Sequence, residues 1–277
     1  MLLSIAKTLA KSALDVGQAG YGRLGRALGL VDFPVPPNSN MRRTSSTSLR
    51  HYRASGIKTG LSVATAAALA GRDLRHGGDV LDFGAGVGRQ LAYFVQRYPD
   101  ARFHACDAER SAIDWLSRAY PTVTCYANDY TPPLRYPDAS FDLIYSISIF
   151  SHLTERDCRA WLAEFARVTK PGGVLCVTTM GHVALAAETT ELTLRDAARL
   201  RAEGSLHYDY DVRAMRAAGG GIVASKEKMD FLGDDYGVTF FDPAAIRDGW
   251  TSAEWDVVGV AEGVIDDLQD LVTLRRR

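Results

Sequence analysis

Asp79-Val80-Leu81-Asp82-Phe83-Gly84-Ala85-Gly86-Val87-Gly88-Arg89 decides the fold of this chain. Asp79 to Phe83 has the apolar run of a buried strand, and it stops in a turn with glycine at every second position. Arg89-Gln90-Leu91-Ala92-Tyr93-Phe94-Val95 then begins a helix. Glycine at 84, 86 and 88 removes the Cβ atoms that would hold a ligand away from the backbone. A helix starting directly after the turn aims its unpaired N–H groups at whatever sits there. The stretch therefore predicts a strand–turn–helix unit that carries a small-molecule site.

Working outward, strands and helices alternate. Ala101 to Asp107 is a second strand, Ala108 to Tyr120 a helix halted at Pro121, and Thr122 to Tyr126 a third strand rich in β-branched residues. Phe141 to Ser146 and Val174 to Thr179 are the fourth and fifth strands. Between them Glu155 to Val168 sets Trp161, Leu162, Phe165 and Val168 at helical spacing, and Pro171-Gly172-Gly173 predicts a turn. Strands separated by helices imply a doubly wound α/β fold, a mostly parallel sheet with helices on both faces. After Met180 the alternation breaks into an insert with a helix expected over Thr190 to Ala202 and a flexible Gly219-Gly220-Gly221. Pro243 to Trp250 is a short helix. Trp255 to Ala261 and Asp270 to Leu274 form an expected antiparallel pair at the sheet edge, which brings the strands to seven.

Upstream, Leu2, Leu3, Ile5, Ala6, Leu9, Ala10, Ala13 and Leu14 form an apolar surface broken by one polar stripe, the pattern of an amphipathic helix packing on the domain or on a second subunit. Pro34 to Asn40 is a linker or extended arm, and Arg42 to Arg53 is a polar lid or a solvated loop. Thr59 to Ala70 is helical. The expected division is an N-terminal helix and arm over 1–50, a core over 51–180, a substrate-side insert over 181–240 and closing strands over 241–277.

With 277 residues, 47% of them apolar and 23% charged, the chain has the make-up of an ordinary globular domain with additions. Its net charge of −1 supplies no pull towards nucleic acid or an anionic membrane. No apolar run is long enough to cross a bilayer, and Lys7 and Lys11 interrupt what would have to be a signal-peptide core. Cys106, Cys125, Cys158 and Cys176 have neither metal-ligand nor disulfide spacing, so reduced core thiols in a cytoplasmic compartment are expected, with no metal.

Asp82-Phe83-Gly84-Ala85-Gly86-Val87-Gly88 resembles the first motif of class I S-adenosylmethionine-dependent methyltransferases, a strand ending in Asp/Glu-x-Gly-x-Gly-x-Gly. Nicotinamide-binding proteins use Gly-x-Gly-x-x-Gly instead. The resemblance extends over roughly residues 79 to 180, through Ser151-His152-Leu153 and Arg167 to Gly173, and more loosely to the final strands. It implies a Rossmann-like seven-stranded sheet, S-adenosylmethionine as cofactor and a small-molecule methyl acceptor. Asp82, Gly84, Ala85, Gly86 and Gly88 would then shape the turn under the methionine portion. Asp107 would hold the ribose with Ala108 beside the adenosine, Asp129 would meet the adenine amino group with Asn128 as the alternative and Tyr130 as the neighbouring aromatic side chain, and Ser146 would lie at the end of the fourth strand.

Each assignment has a plainer rival. Asp107 at a strand end also fits a helix cap, and Asn128-Asp129 fits an Asx turn before Pro132-Pro133. Asn128 to Pro133 follows the third strand, which is the wrong place for the Asn-Pro-Pro-Tyr signature of nucleic-acid methyltransferases. His152 is the candidate general base, its rival role being packing or support of the cofactor loop. In the insert, Tyr208, Asp209, Tyr210, Asp211, Asp230, Phe231, Asp234, Asp235 and Tyr236 suit a hydroxylated acceptor such as a sugar, and equally a cationic amine. The expected function is O-methylation of a sugar or secondary metabolite, with a homo-oligomer left open. An inactive cofactor-binding partner subunit is the alternative; a nicotinamide oxidoreductase is opposed by the glycine spacing and the terminal strand pair.

Overall fold

In the computed structural model, which describes residues 32–37, 48–188, 193–209 and 237–277, the glycine turn caps the central strand of the sheet. That strand is β1 (Gly78–Phe83), whose last four residues are buried. It pairs in parallel with β2 (Ala101–Asp107), which pairs in turn with β3 (Thr124–Ala127). On its other side lie β4 (Phe141–Ser146) and then β5 (Thr169–Met180), again parallel. Two of the later strands, β8 (Trp255–Ile265) and β9 (Gln269–Arg276), form the expected hairpin, with β9 antiparallel to β5. These seven strands are the doubly wound sheet with a closing antiparallel pair.

The insert adds two more strands, so the sheet has nine among the described residues. β6 (Ser205–Asp209) and β7 (Gly237–Phe241) are an antiparallel pair, and β7 joins β5 in parallel at Met180 opposite Phe240. Met180 also faces Gln269 of β9 on one edge, and β4 stops at Ser146 opposite Val177. β7 therefore occupies the edge that β4 vacates, as a lip beyond the carboxyl end of the sheet.

Alternate strand residues face opposite layers. Val80, Leu143, Tyr145, Val174 and Cys176 pack with α1 (Leu49–Leu69), α2 (Leu91–Arg97) and α3 (Arg110–Ala119) through Val63, Ala67, Phe94 and Leu116. On the other face Leu81, Phe83, Ile144, Leu175 and Val177 meet Trp161 and Phe165 of α4 (Glu155–Val168). The insert contributes α5 (His182–Glu188) and α6 (Thr193–Glu203), and α7 (Pro243–Gly249) follows it. Among the described residues no helix is long and apolar enough to cross a membrane, and all four cysteines are free thiols.

Several local expectations change. Leu49 to Arg53, read as part of a polar lid or solvated loop, is the first turn and a half of α1, started by Ser48, whose hydroxyl accepts from the His51 amide. Tyr52 is 1% exposed because its ring enters the core and stacks on Phe33. Pro171-Gly172-Gly173 is no separate turn: β5 already starts at Thr169, and Gly172 (φ 76°) lies where the register with β4 shifts. Among the described residues of the insert there are two helices, α5 in addition to the expected one, which is α6 and begins at Thr193. The residue 2–14 stripe, residues 38–47, Gly219-Gly220-Gly221, Tyr210, Asp211 and residues 230–236 lie outside the described residues.

Tyr52 ties α1 to the glycine turn, its hydroxyl donating to the Val87 carbonyl over 3.0 Å. Tyr52→Phe leaves that carbonyl unpaired in the interior, so unfolding free energy should fall by about 1–2 kcal/mol. Urea denaturation of both proteins checks this, and an unchanged midpoint would show that the bond does not hold the turn.

Candidate functional site

All three glycines of the turn have left-handed backbone, with φ of 72° at Gly84, 53° at Gly86 and 76° at Gly88. Their surroundings differ. A Cβ on Gly84 would lie 2.4 Å from the Ile149 side chain, and one on Gly88 would lie 2.8 Å from Leu116. A Cβ on Gly86 would meet nothing within 4 Å. Gly84 and Gly88 thus let the protein pack on the turn, and Gly86 alone faces open space.

The amides of the turn are largely committed within the chain. Gly84 N and Ala85 N both donate to the Cys106 carbonyl at 2.9 and 3.0 Å, Gly88 N donates to Ala85 O at 2.8 Å, and Gly86 N donates to Asp107 Oδ2 at 2.8 Å. The expected row of unpaired N–H groups is therefore not what the turn offers, and α2 starts only at Leu91, two residues later than the sequence suggested. This cradle is not built to hold a phosphate. It is built to set Asp107 and the open surface over Gly86.

Asp107 fulfils the cap-like reading as well: its Oδ1 accepts from the Glu109 amide at 2.8 Å just before α3. Two amide bonds fix the orientation of a carboxylate that has about four acceptor positions. Ala108 follows it, half-buried. The Asn128 amide donates to the Asp107 carbonyl at 3.1 Å, which brings the end of β3 to the same place. Asn128 Nδ2 donates to Asp129 O at 2.6 Å, and Asn128 Oδ1 is buried with no partner. Asp129 and Tyr130 are exposed at the rim.

Asp82 lies beneath the turn, 3% exposed, where Tyr145 donates to its Oδ2 at 3.0 Å. Burial pushes its carboxyl up to about 8, against the Tyr145 bond and with the Asp107 charge adding to the rise. At the end of β4, Ser146 is fully buried and its hydroxyl has no partner. His152 sits in the short turn Phe150–His152, and its Nδ1 donates to the Gly237 carbonyl of β7 at 2.9 Å. That bond places the ring hydrogen on Nδ1 in the neutral form. Burial lowers the His152 pKa more than the Gly237 bond raises it, so the ring is neutral at pH 7.

Residues that the sequence did not single out complete the site. Ser55 of α1 donates to Asp266 in the β8–β9 turn at 3.1 Å, Lys58 donates to Asp267 at 3.1 Å, and Arg89 donates to Ser55 at 3.2 Å. Gly56 packs so close to the Arg89 carbonyl that a Cβ there would come within 2.3 Å. The first described helix and the β8–β9 turn thus converge on the glycine turn, a contact across 211 positions that no local pattern announces. The open surface over Gly86, the oriented Asp107 carboxylate and the orphaned acceptor of Asn128 together fit a ligand with ribose hydroxyls and an amino-bearing base.

Known proteins agree with that geometry. Residues 80–173 match the model of a methyltransferase domain. The chain is 27% identical over 230 residues to a probable S-adenosylmethionine-dependent methyltransferase of Mycolicibacterium smegmatis, covering 75% of this chain and 82% of that one. It is 32% identical over 103 residues to the malonyl-[acyl-carrier protein] O-methyltransferase of Hahella chejuensis, a match spanning 37% of this chain and about a third (36%) of that relative. The crystal structure of an S-adenosylmethionine-dependent methyltransferase from Aquifex aeolicus superposes with a TM-score of 0.50 at 16% identity, over 86% of this chain and 97% of the other, a likeness of fold. The glycine spacing, the sheet order with its closing hairpin and the matched domain converge: residues 80–173 carry a methyltransferase domain, set in a sheet like that of S-adenosylmethionine-dependent methyltransferases.

Proposed function

We propose that the chain transfers the methyl group of S-adenosylmethionine to a small-molecule acceptor, with an acceptor oxygen, on a sugar or secondary metabolite, as the first choice. The observation that carries this reading is the Asp107 carboxylate, held by Gly86 and Glu109 beside the open face of the turn. The sulfonium of the bound cofactor supplies an electrophilic methyl group, so the protein's work is alignment and exclusion of water. Asp107 accepts from the ribose hydroxyls, with Ala108 against the adenosine. Asn128 takes the adenine amino group through its orphaned Oδ1, in preference to the exposed Asp129. Gly86 admits the methionine portion, and Gly84 and Gly88 hold the loop that surrounds it.

His152 has the neutral ring a base needs, with the lone pair on Nε2, but its bond to Gly237 argues equally for tying the insert to the loop after β4. Relatives differ in acceptor: the names include a malonyl-[acyl-carrier protein] O-methyltransferase, a phosphoethanolamine N-methyltransferase and a tRNA N(3)-cytidine methyltransferase. The near-neutral charge of this chain favours a small acceptor over a nucleic acid. Four free thiols favour the cytoplasm. An inactive cofactor-binding subunit is the second reading, since fold alone does not guarantee turnover.

Mass spectrometry of ligand released from the purified protein tests the cofactor directly, and recovered nicotinamide would sink the proposal. Bound cofactor without turnover across hydroxylated and amine acceptors would favour the inactive reading. Asp107→Ala should weaken S-adenosylhomocysteine binding by about a hundredfold in calorimetry with the fold retained, the loss of two charge-assisted hydrogen bonds; unchanged affinity would remove the ribose assignment. Asp82 gives a pH test. Its folded pKa of about 8 stands above the ordinary 3.8, so the folded state binds more protons between those values and stability falls as pH rises through that window. Asp82→Asn should flatten the fall in cofactor-free protein, and a denaturation midpoint that falls with pH equally in both proteins would contradict it.

A further inference from the structure

We infer that the carboxyl end of β5 holds an acceptor-binding site, in which Thr179, Asp270 and His182 receive a hydroxyl or amine group of the acceptor; the inference rests on the methyltransferase reading. Thr179 and Asp270 are paired across β5 and β9 and share a face of the sheet. Both are fully buried. Asp270 Oδ1 accepts from Gly263 N at 2.8 Å, while Oδ2 has no partner, and neither has the Thr179 hydroxyl. Position 181 must be glycine for this arrangement, because a Cβ there would stand 2.1 Å from Asp270 Oδ2.

His182 comes next in the chain. Its Nε2 lies 2.9 Å from Asp242 Oδ2, and the other oxygen of Asp242 is held by the Ala244 and Ala245 amides at 2.8 and 3.2 Å. A carboxylate so held accepts, which puts the hydrogen of the neutral His182 ring on Nε2 and the lone pair on Nδ1. Nδ1 is buried and has no partner. Three orphaned polar atoms thus come from one four-residue stretch and its cross-strand neighbour, although buried polar groups are almost always paired. Two are acceptors and the third is a hydroxyl that serves either way. Their complement is a donor, an O–H or an N–H.

The position suits methyl transfer. Ser148 N donates to Thr178 Oγ1 at 2.7 Å, and the Ser148 hydroxyl meets the Gln269 side chain at 3.1 Å, so the loop after β4 is fastened to the immediate neighbours of Thr179 and Asp270. The next residue of that loop, Ile149, rests on Gly84. β1 and β5 are two strand spacings apart, about 10 Å. The His182 side chain, 23% exposed, marks the way in from solvent.

The test uses the full chain saturated with S-adenosylhomocysteine and two probes of one apolar frame, benzylamine and benzyl alcohol. NMR follows the His182 ring nitrogens and the Asp270 carboxyl carbon. A saturable shift of both signals by either probe is expected, with the responding probe telling amine from hydroxyl acceptors. Binding should weaken by about tenfold in Asp270→Asn and, should that variant not fold, in the nearly isosteric Thr179→Val. S-adenosylhomocysteine affinity should stay unchanged in the variants. No response to either probe, as when a resident water satisfies the three atoms, would overturn the inference, as would a shift that persists in the variants or a His182 hydrogen found on Nδ1. If S-adenosylhomocysteine itself does not bind, the methyltransferase reading falls and this inference with it; cofactor binding without a probe response removes this inference alone.

Discussion

The end of β2 is what gives the glycine turn its shape. Two successive amides, Gly84 and Ala85, converge on the carbonyl of Cys106, and the next, Gly86, takes the carboxylate of Asp107. A turn with three left-handed residues is conformationally expensive unless something outside it fixes each peptide. Here that support comes from the neighbouring strand, through the Cys106 carbonyl and the Asp107 carboxylate. The same arrangement orients Asp107, opens the surface over Gly86 and leaves Gly84 and Gly88 to be covered by Ile149 and Leu116.

Strands and helices of the core were legible because their signals are local. Phe141 to Ser146 and Glu155 to Val168 have the observed bounds, and Ala101 to Asp107 likewise. Pro171 to Gly173 misled because a proline–glycine cluster marks a turn and a strand irregularity alike; only the pairing of β4 with β5 distinguishes them. Leu49 to Arg53 reads as lid or solvated loop because its polarity hides one buried ring, Tyr52. In the site, the motif revealed which residues gather but not their division of labour. Three glycines of one spacing proved to have different neighbours. Ser55, Asp266 and Asp242 carry no motif, since their meaning lies in partners far along the chain.

The insert is fastened to the core at its most functional edge. His152 meets Gly237, Thr239 donates to the Leu153 carbonyl, His207 meets Thr239, and Ser205 donates to Glu155 at the start of α4. Three of these bonds link the β6–β7 pair to the segment that follows β4, while the His207–Thr239 bond joins the two strands of the pair; the segment after β4 also supplies Ile149 to the glycine turn. The pair, the loop after β4 and the glycine turn are therefore joined by one short run of hydrogen bonds and packed side chains.

The β8–β9 turn has a bearing on how the protein comes into being. Asp266 and Asp267, both with left-handed backbone, settle on Ser55 and Lys58 of the first described helix, beside Arg89 at the glycine turn. β9 also slots between β5 and β8, which puts late-synthesised residues inside the sheet and not merely at its rim. Until β8 and β9 are synthesised, β5 has an open edge and α1 lacks its anchor. Contacts this distant in sequence slow folding, and unpaired edges invite wrong partners. The glycine motif is translated well before the hairpin that anchors α1 and Arg89 beside it, so the surroundings of the turn are assembled in two stages.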